Sequence, residues 1–243
     1  MIASRPCPGA GPTFARAMIE PTDRDFAQEL RTLKEKLSGM AERASEQIGT
    51  AMEALTTRDD ELARQVILDD KAIDADENDI DRLAMHILVT RHPVASDLRF
   101  VTMALKFVVD VERIGDLAAG IAKRALELNR LSPLEWRGDL TRLAMMVEAN
   151  LHHAIESFVR GDVEQATAVI KADTAIDRLN ASLFAQLVAN VAADPDTVTR
   201  VLPLTSVSRS LERVGDHVKN LAEEVIFMVS AAEVRHRPAV PTN

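Results

Sequence analysis

Val111-Glu112-Arg113-Ile114-Gly115-Asp116 returns as Leu211-Glu212-Arg213-Val214-Gly215-Asp216, the same Glu-Arg-aliphatic-Gly-Asp motif 100 residues further along the chain. A second string precedes each copy: Asp70-Lys71-Ala72-Ile73-Asp74 returns as Asp173-Thr174-Ala175-Ile176-Asp177, at a shift of 103. Ala51, Glu53, Asp59, Val66 and Ile67 find their mates at that same shift in Ala154, Glu156, Asp162, Val169 and Ile170. A repeat of this length means two copies of one structural unit, so fold and function are both read per repeat. The shift drops between Asp74 and Glu112, which places a shortened connection there.

The motif lies on a helix. Phe107, Val111, Ile114, Ala118, Ile121 and Ala125 follow a 4-3-4-3-4 spacing, and Val207, Leu211, Val214, Val218, Leu221 and Val225 repeat it, which gives one apolar stripe on each helix. Val66, Ile73, Ile80 and Ile87 recur at sevens, the spacing of helices that pack nearly antiparallel in a bundle. Prolines punctuate the chain: Pro93, Pro133 and Pro195 fall between periodic segments, while Pro6, Pro8, Pro12, Pro21, Pro238 and Pro241 mark the ends. Together these signals predict helices over 24–57, 60–90, 96–131, 134–160, 162–192 and 197–232. Pro203 falls inside the sixth, where it is expected to kink the helix or move its start. The fold class is therefore all-α, two tandem three-helix bundles related by pseudo-twofold symmetry. The first repeat spans 24–131 and the second 132–232, with a disordered leader over 1–23 and a disordered tail over 233–243.

Composition narrows the function. Of 243 residues 47% are hydrophobic, with seven Phe, one Trp and no Tyr, so the core is aliphatic and suits helices. The formal charge of −9 and the absence of a basic run argue against a nucleic-acid partner. Cys7 alone supports neither an internal disulfide nor a thiolate metal site, in keeping with a cytoplasmic location. With no run of 18 apolar residues and no apolar core in the leader, neither membrane insertion nor export by a signal peptide is expected.

The carboxylates of the motif carry the chemistry. Counting about 100° per residue from Phe107 puts Glu112 near 140° and Asp116 near 180°, away from the apolar stripe. Like charges at i,i+4 cost a few tenths of a kcal/mol, and Gly115 costs about 1 kcal/mol relative to Ala in a helix interior. Both penalties recur at Glu212, Gly215 and Asp216. One such pair is ordinarily a solvated surface feature; local rules broken twice in the same place point to a compensating role. Asp70 with Asp74, and Asp173 with Asp177, form a second pair on each middle helix, and a helical hairpin permits the two pairs to meet on one face. Asn220 extends the second ladder, Glu212, Asp216, Asn220, where Gly120 ends the first. An all-oxygen set of this kind suits hard cations, namely magnesium, manganese, calcium or ferric iron. Two bland readings stand beside it: the glycines allow close helix approach, and Arg113 and Arg213 pair with the Asp three residues on. Ser96 or Asp97 reads as a helix N-cap, and His217, turned from Asp216, as a surface histidine.

The chain resembles the PhoU family of phosphate-signalling proteins. The resemblance is carried by Pro93-Val-Ala-Ser-Asp-Leu-Arg99 leading into Val111–Asp116, by the second copy Leu211–Asp216, and by the Asp-x-Ala-Ile-Asp string before each, over about residues 25–230. It implies two three-helix bundles in tandem. It implies metal ions, iron, manganese or magnesium, on motifs that map onto Glu112/Asp116 and Glu212/Asp216, with Asp74 and Asp177 matching acidic positions of the middle helices. It further implies a cytoplasmic negative regulator without catalytic activity, coupling the ATPase of a phosphate ABC transporter to a membrane sensor histidine kinase. A homodimer is an expectation of the same kind. The leader before about Asp23 is longer than is usual in the family, which makes Met18 an alternative start. A metal-dependent hydrolase or oxidase using the same carboxylates is the competing class, and a purely structural helical scaffold is the third.

Overall fold

Six long helices and one short turn make up the computed structural model, which describes residues 21–133 and 137–231, with side chains from 24 to 133 and from 139 to 231. The helices are α1 (Pro21–Thr57), α2 (Asp60–Arg91), α3 (Ala95–Asn129), α4 (Arg137–Arg160), α5 (Val163–Ala193) and α6 (Val198–Ser230), the last entered through a 3-10 turn at Pro195–Thr197. Every helix expected from periodicity is present, and among the described residues there is no strand. The expected leader lies outside the described residues over 1–20, and its last three residues, 21–23, already belong to α1. The expected tail lies outside them altogether.

Local chemistry explains where the helices begin and end. Asp59 caps α2 by accepting from the backbone N–H groups of Glu61 and Leu62 at 2.8 and 3.1 Å. Its repeat mate Asp162 caps α5 by accepting from Gln165 N at 3.0 Å, so this pair of matched acids is structural. The N-cap of α3 is Val94, without a side-chain bond. Ser96 and Asp97, expected as caps, sit instead in the first turn, where the Asp97 carboxylate still favours the positive end of the helix. Pro203 is buried inside α6; the 3-10 turn opened by Pro195 starts the helix ahead of it, so the start is not displaced. The connection between Asp74 and Glu112 is the longer of the two and the shortened one lies in the second repeat: His92–Val94 separate α2 from α3, while Asp194 alone separates α5 from its turn.

Packing follows the apolar stripes. Val66, Ile73, Ile80 and Ile87 are buried on α2, as are all twelve stripe positions of α3 and α6. Within a repeat the three helices form a bundle, and the bundles join through α1 against α4 and α3 against α6. Lys34 meets Val159, and Ser45 meets His152. These contacts make α1 and α4 antiparallel, the arrangement that a twofold axis lying across the helices produces. One continuous hydrophobic cluster serves both repeats. Phe158 of α4 crosses into the first repeat, its ring centroid 4.5 Å from that of Phe107 and 6.3 Å from that of Phe100. α3 is thus covered by α1, α2 and α6, and α6 by α3, α4 and α5.

The two repeats turn the corner after their first helix differently. Gly161 takes φ +67 in the second repeat, whereas Arg58 stands at the equivalent place in the first with φ 60, a left-handed conformation that costs a residue with a Cβ about 1–2 kcal/mol. Arg58 is held there by its guanidinium: Nη2 donates to the carbonyls of Leu128, Asn129 and Leu131 at 3.1, 2.8 and 2.6 Å, so a cation closes the negative C-terminal end of α3. Arg58→Ala keeps the strain and loses the bonds, and is expected to destabilise the chain by about 2 kcal/mol in urea denaturation. Arg58→Gly, which relieves the strain, is expected to cost about 1 kcal/mol less. Equal losses in the two variants would show that the backbone strain is not real.

Candidate functional site: two acidic helix faces

Each motif glycine makes room for the first aspartate of the facing helix. A Cβ on Gly115 would sit 2.7 Å from Cδ1 and 3.3 Å from Cγ2 of Ile73, and 3.5 Å from Asp70 Oδ1. A Cβ on Gly215 would sit 3.4 Å from Asp173 Oδ1 and 3.5 Å from Ile176 Cγ2. The Asp-x-Ala-Ile-Asp strings therefore lie directly over the Glu-Arg-aliphatic-Gly-Asp motifs. Asp70, Asp74, Glu112 and Asp116 share the α2/α3 face, and Asp173, Asp177, Glu212 and Asp216 share the α5/α6 face.

On the first face the carboxylates press on one another. Desolvation, and then Asp116 and Asp74, push the Asp70 carboxyl above its ordinary range, with Lys123 opposing. Glu112, half-buried, is raised by desolvation and by Asp116, against the pull of Arg113. Glu77 joins them, raised by desolvation and by Asp81, Asp74 and Asp116. Sequence reasoning counts Glu77 in the acid-rich run around Asp70 and Asp74 but leaves it out of the expected ligands, although it lies three residues beyond Asp74 on the same side of α2. Arg113 bridges the motif acids, with Nε 3.3 Å from Glu112 Oε2 and Nη1 2.9 Å from Asp116 Oδ2. The expected Arg–Asp pairing is thus present in the first repeat.

The second face is built differently. Lys219 Nζ lies 3.1 Å from Oδ2 of Asp173, whose side chain is only 5% exposed, and hydrogen bonding to that carboxylate holds the ammonium above its ordinary pKa. Asp177 is raised by desolvation, Asp173 and Asp216, with Lys219 opposing. At the place of Glu77 stands Asn180, hydrogen-bonded to Ser208. The ladder Glu212, Asp216 continues at i+7 into Lys219. Asn220, expected as its next rung, instead turns toward α3, where Nδ2 donates to Asp110 Oδ1 at 3.3 Å. His217 faces the same way: it is half-buried, with Nδ1 2.6 Å from Asp110 Oδ1, rather than a surface histidine. A carboxylate only accepts, so Nδ1 carries the proton in this bond. Asp110 was not singled out from sequence, because its partners lie in the other repeat.

The donors on both faces are oxygens, the chemistry a hard cation requires. Among the described residues, however, no three His, Cys, Asp or Glu side chains converge closely enough to hold one as they stand. On the first face Arg113 occupies the motif acids, and on the second Lys219 occupies Asp173. Two surface clefts lie elsewhere. One of about 410 Å³ is lined by residues of α1 and Val159, and one of about 320 Å³ by residues of α1 and α2 that include Gln47 and Asp69; no motif carboxylate lines either. No helix among the described residues is long and apolar enough to cross a membrane.

The glycine contacts distinguish the two repeats. Gly215→Ala adds a methyl at ordinary contact distance and is expected to raise stability by up to about 1 kcal/mol through helix propensity. Gly115→Ala drives the same methyl into fully buried Ile73 and is expected to lower stability by about 1–2 kcal/mol. Thermal melts of the two single variants compare them, and a Gly115→Ala chain as stable as Gly215→Ala would contradict the packing described.

Comparison with known proteins agrees with the duplication. A PhoU domain model matches this chain twice, over residues 37–125 and 140–225, once in each repeat. The phosphate-specific transport system accessory protein PhoU homolog of Pseudomonas aeruginosa is 36% identical over 217 residues, covering 88% of both chains. The crystal structure of PhoU from Pseudomonas aeruginosa superposes with a TM-score of 0.82 at 35% identity, over 85% of this chain and 100% of the other. That of the phosphate transport system regulatory protein PhoU from Streptococcus pneumoniae gives 0.79 at 26% identity, over 86% and 99%. With both repeats matched in sequence and the whole six-helix arrangement matched in structure, the chain belongs to the PhoU family.

Proposed function

We propose that this chain is an accessory protein of a phosphate-specific transport system. In this reading it is a cytoplasmic negative regulator that passes the state of a phosphate ABC transporter to a membrane sensor histidine kinase and restrains phosphate-starvation genes when phosphate is plentiful. The observation that carries the reading is the match of both repeats to relatives named for that transport system, over nearly nine-tenths of this chain. The acidic faces fit an adaptor rather than a catalyst: they are rows of charge along helix pairs, suited to meeting cations or basic surfaces. Deleting the gene is expected to derepress a secreted alkaline phosphatase reporter at high phosphate. Unchanged expression, in a host without a second copy, would remove the support for a negative regulator.

The same proposal includes a hard cation, iron, manganese or magnesium, on the α2/α3 face, taken by Asp70, Asp74, Glu112 and Asp116. Its support is the all-oxygen donor set and the mutual repulsion that a cation offsets; to bind it, the side chains must rotate and Arg113 must release the motif acids. Replacing Glu112 by Gln and Asp116 by Asn is expected to abolish metal uptake by the first repeat, read by elemental analysis. Without metal, this variant should melt at an equal or higher temperature near neutral pH. The sign follows from the raised Glu112 carboxyl: its ionisation opposes folding above the folded pKa, and that cost fades as pH falls through it and the group protonates. The advantage of the variant should therefore shrink in acid. Full metal content in the double variant would count against the site.

A further inference from the structure

The two acidic faces are copies, yet only on the second is the first aspartate of the string paired with a lysine. Asp70 and Asp173 occupy equivalent places, each against the motif glycine of the facing helix. Asp173 is seated against Lys219 Nζ at 3.1 Å. The equivalent residue of α3 is Ala119, a buried methyl side chain with nothing to offer Asp70. Lys123, one turn further along α3, acts on Asp70 through space, and the residue at its place in the second repeat is the acid Glu223. The first face also has Glu77 where the second has Asn180, which is committed to Ser208. At three duplicated positions the first face has Glu77, Ala119 and Lys123 where the second has Asn180, Lys219 and Glu223, so the second alone seats an ammonium on the first aspartate of its string.

We propose that Lys219 is a tethered counter-cation that closes the α5/α6 face to metal ions, so that a hard cation binds this chain only at the α2/α3 face. The first half concerns Lys219 alone; the second half rests on the metal reading given above. An ammonium on Asp173 excludes a metal ion in two ways. It occupies the carboxylate oxygen a metal ion would need, and it repels a second positive charge a few ångströms away across a partly desolvated face. Asp173 is the least exposed acid of the cluster, so its partner is shielded from exchange with solvent ions. Tethering also removes the dependence on cation concentration: the ammonium is delivered by α6 itself whenever the repeat folds. The second face is therefore held in one state, and the first alone responds to its surroundings.

The test is Mn²⁺ binding by the full-length chain, measured by equilibrium dialysis with elemental analysis, with circular dichroism to establish folding. Lys219→Met is expected to take up an additional equivalent of Mn²⁺ over the wild type, and Lys219→Met combined with Asp173→Asn is expected to lose that increment. Asp173→Asn alone should leave wild-type uptake unchanged. Ala119→Lys, which installs the same tether on α3, should lower uptake by the first face. Should Lys219→Met fail to fold because Asp173 is left without a partner, Lys219→Gln keeps a hydrogen-bond donor there and is read the same way. Uptake by the folded Lys219 variant equal to that of the wild type overturns the proposal, as does reduced uptake in Asp173→Asn alone. If the wild type takes up no Mn²⁺ while Lys219→Met does, the metal reading of the first face fails and the role of Lys219 stands. If neither takes it up, both fail.

Discussion

Burial of α3 and α6 on three sides is the constraint from which the rest of the arrangement follows. A helix flanked by three others keeps only a narrow strip for solvent, and on α3 that strip runs through Arg113, Asp116, Lys123 and Glu127 at helical spacing. Asp116 surfaces on it, whereas Glu112, one turn earlier, is drawn under the edge of α2 and half-buried. Close approach of α2 is possible because Gly115 leaves space for Ile73 and Asp70. The same helix-on-helix contact that buries the core thus forces acids together along its rim. Their raised protonation ranges are a consequence of packing, imposed by residues whose main task is to fill the interior.

Duplication preserved the geometry of these faces and released their charges. The glycine, the isoleucine and both strings of acids occupy matching places in the two repeats, while Glu77 became Asn180 and Ala119 became Lys219, or the reverse. Similar divergence runs through the structural contacts. A left-handed turn satisfied by glycine at Gly161 is held at Arg58 by a guanidinium that caps α3. The contact between the repeats is polar at Asp110, His217 and Asn220, and aromatic at Phe107 and Phe158. A pseudo-twofold describes the backbone; it does not describe the electrostatics.

The fold was legible because it rests on periodicity and repetition, both properties of a single strand of text. Val66, Ile73, Ile80 and Ile87 at sevens, and the 4-3-4-3-4 stripes of the third helices, announced which faces would be buried, and the prolines announced the boundaries. The acids of the two faces were legible for the same reason, since i,i+4 spacing on facing helices leaves few ways to pair them. Contacts between repeats were not. His217 read as a surface residue because its partner, Asp110, is more than a hundred residues away. Asn220 read as a continuation of the ladder because i+4 spacing from Asp216 fits as well as the i+3 spacing of Lys219; only the neighbouring helices decide between the two. Asp97 read as a cap because sequence shows a polar residue after a proline and cannot show the backbone at Val94.

Phe158 reaching across to Phe107 has a bearing on how such a chain arises. A single repeat folded alone would present the side of its third helix that here meets α6, together with an uncovered phenylalanine, and would bury them only by pairing with another copy of itself. Fusing two copies turns that encounter into an intramolecular one, at an effective concentration on the order of millimolar for a short connection. Association then no longer limits the amount of folded protein. Symmetry is no longer enforced either, because a substitution in one half is no longer made in both. A single lysine can be seated on the aspartate of one acidic face and replaced by alanine at the same place on the other, which no symmetric dimer of identical chains can do.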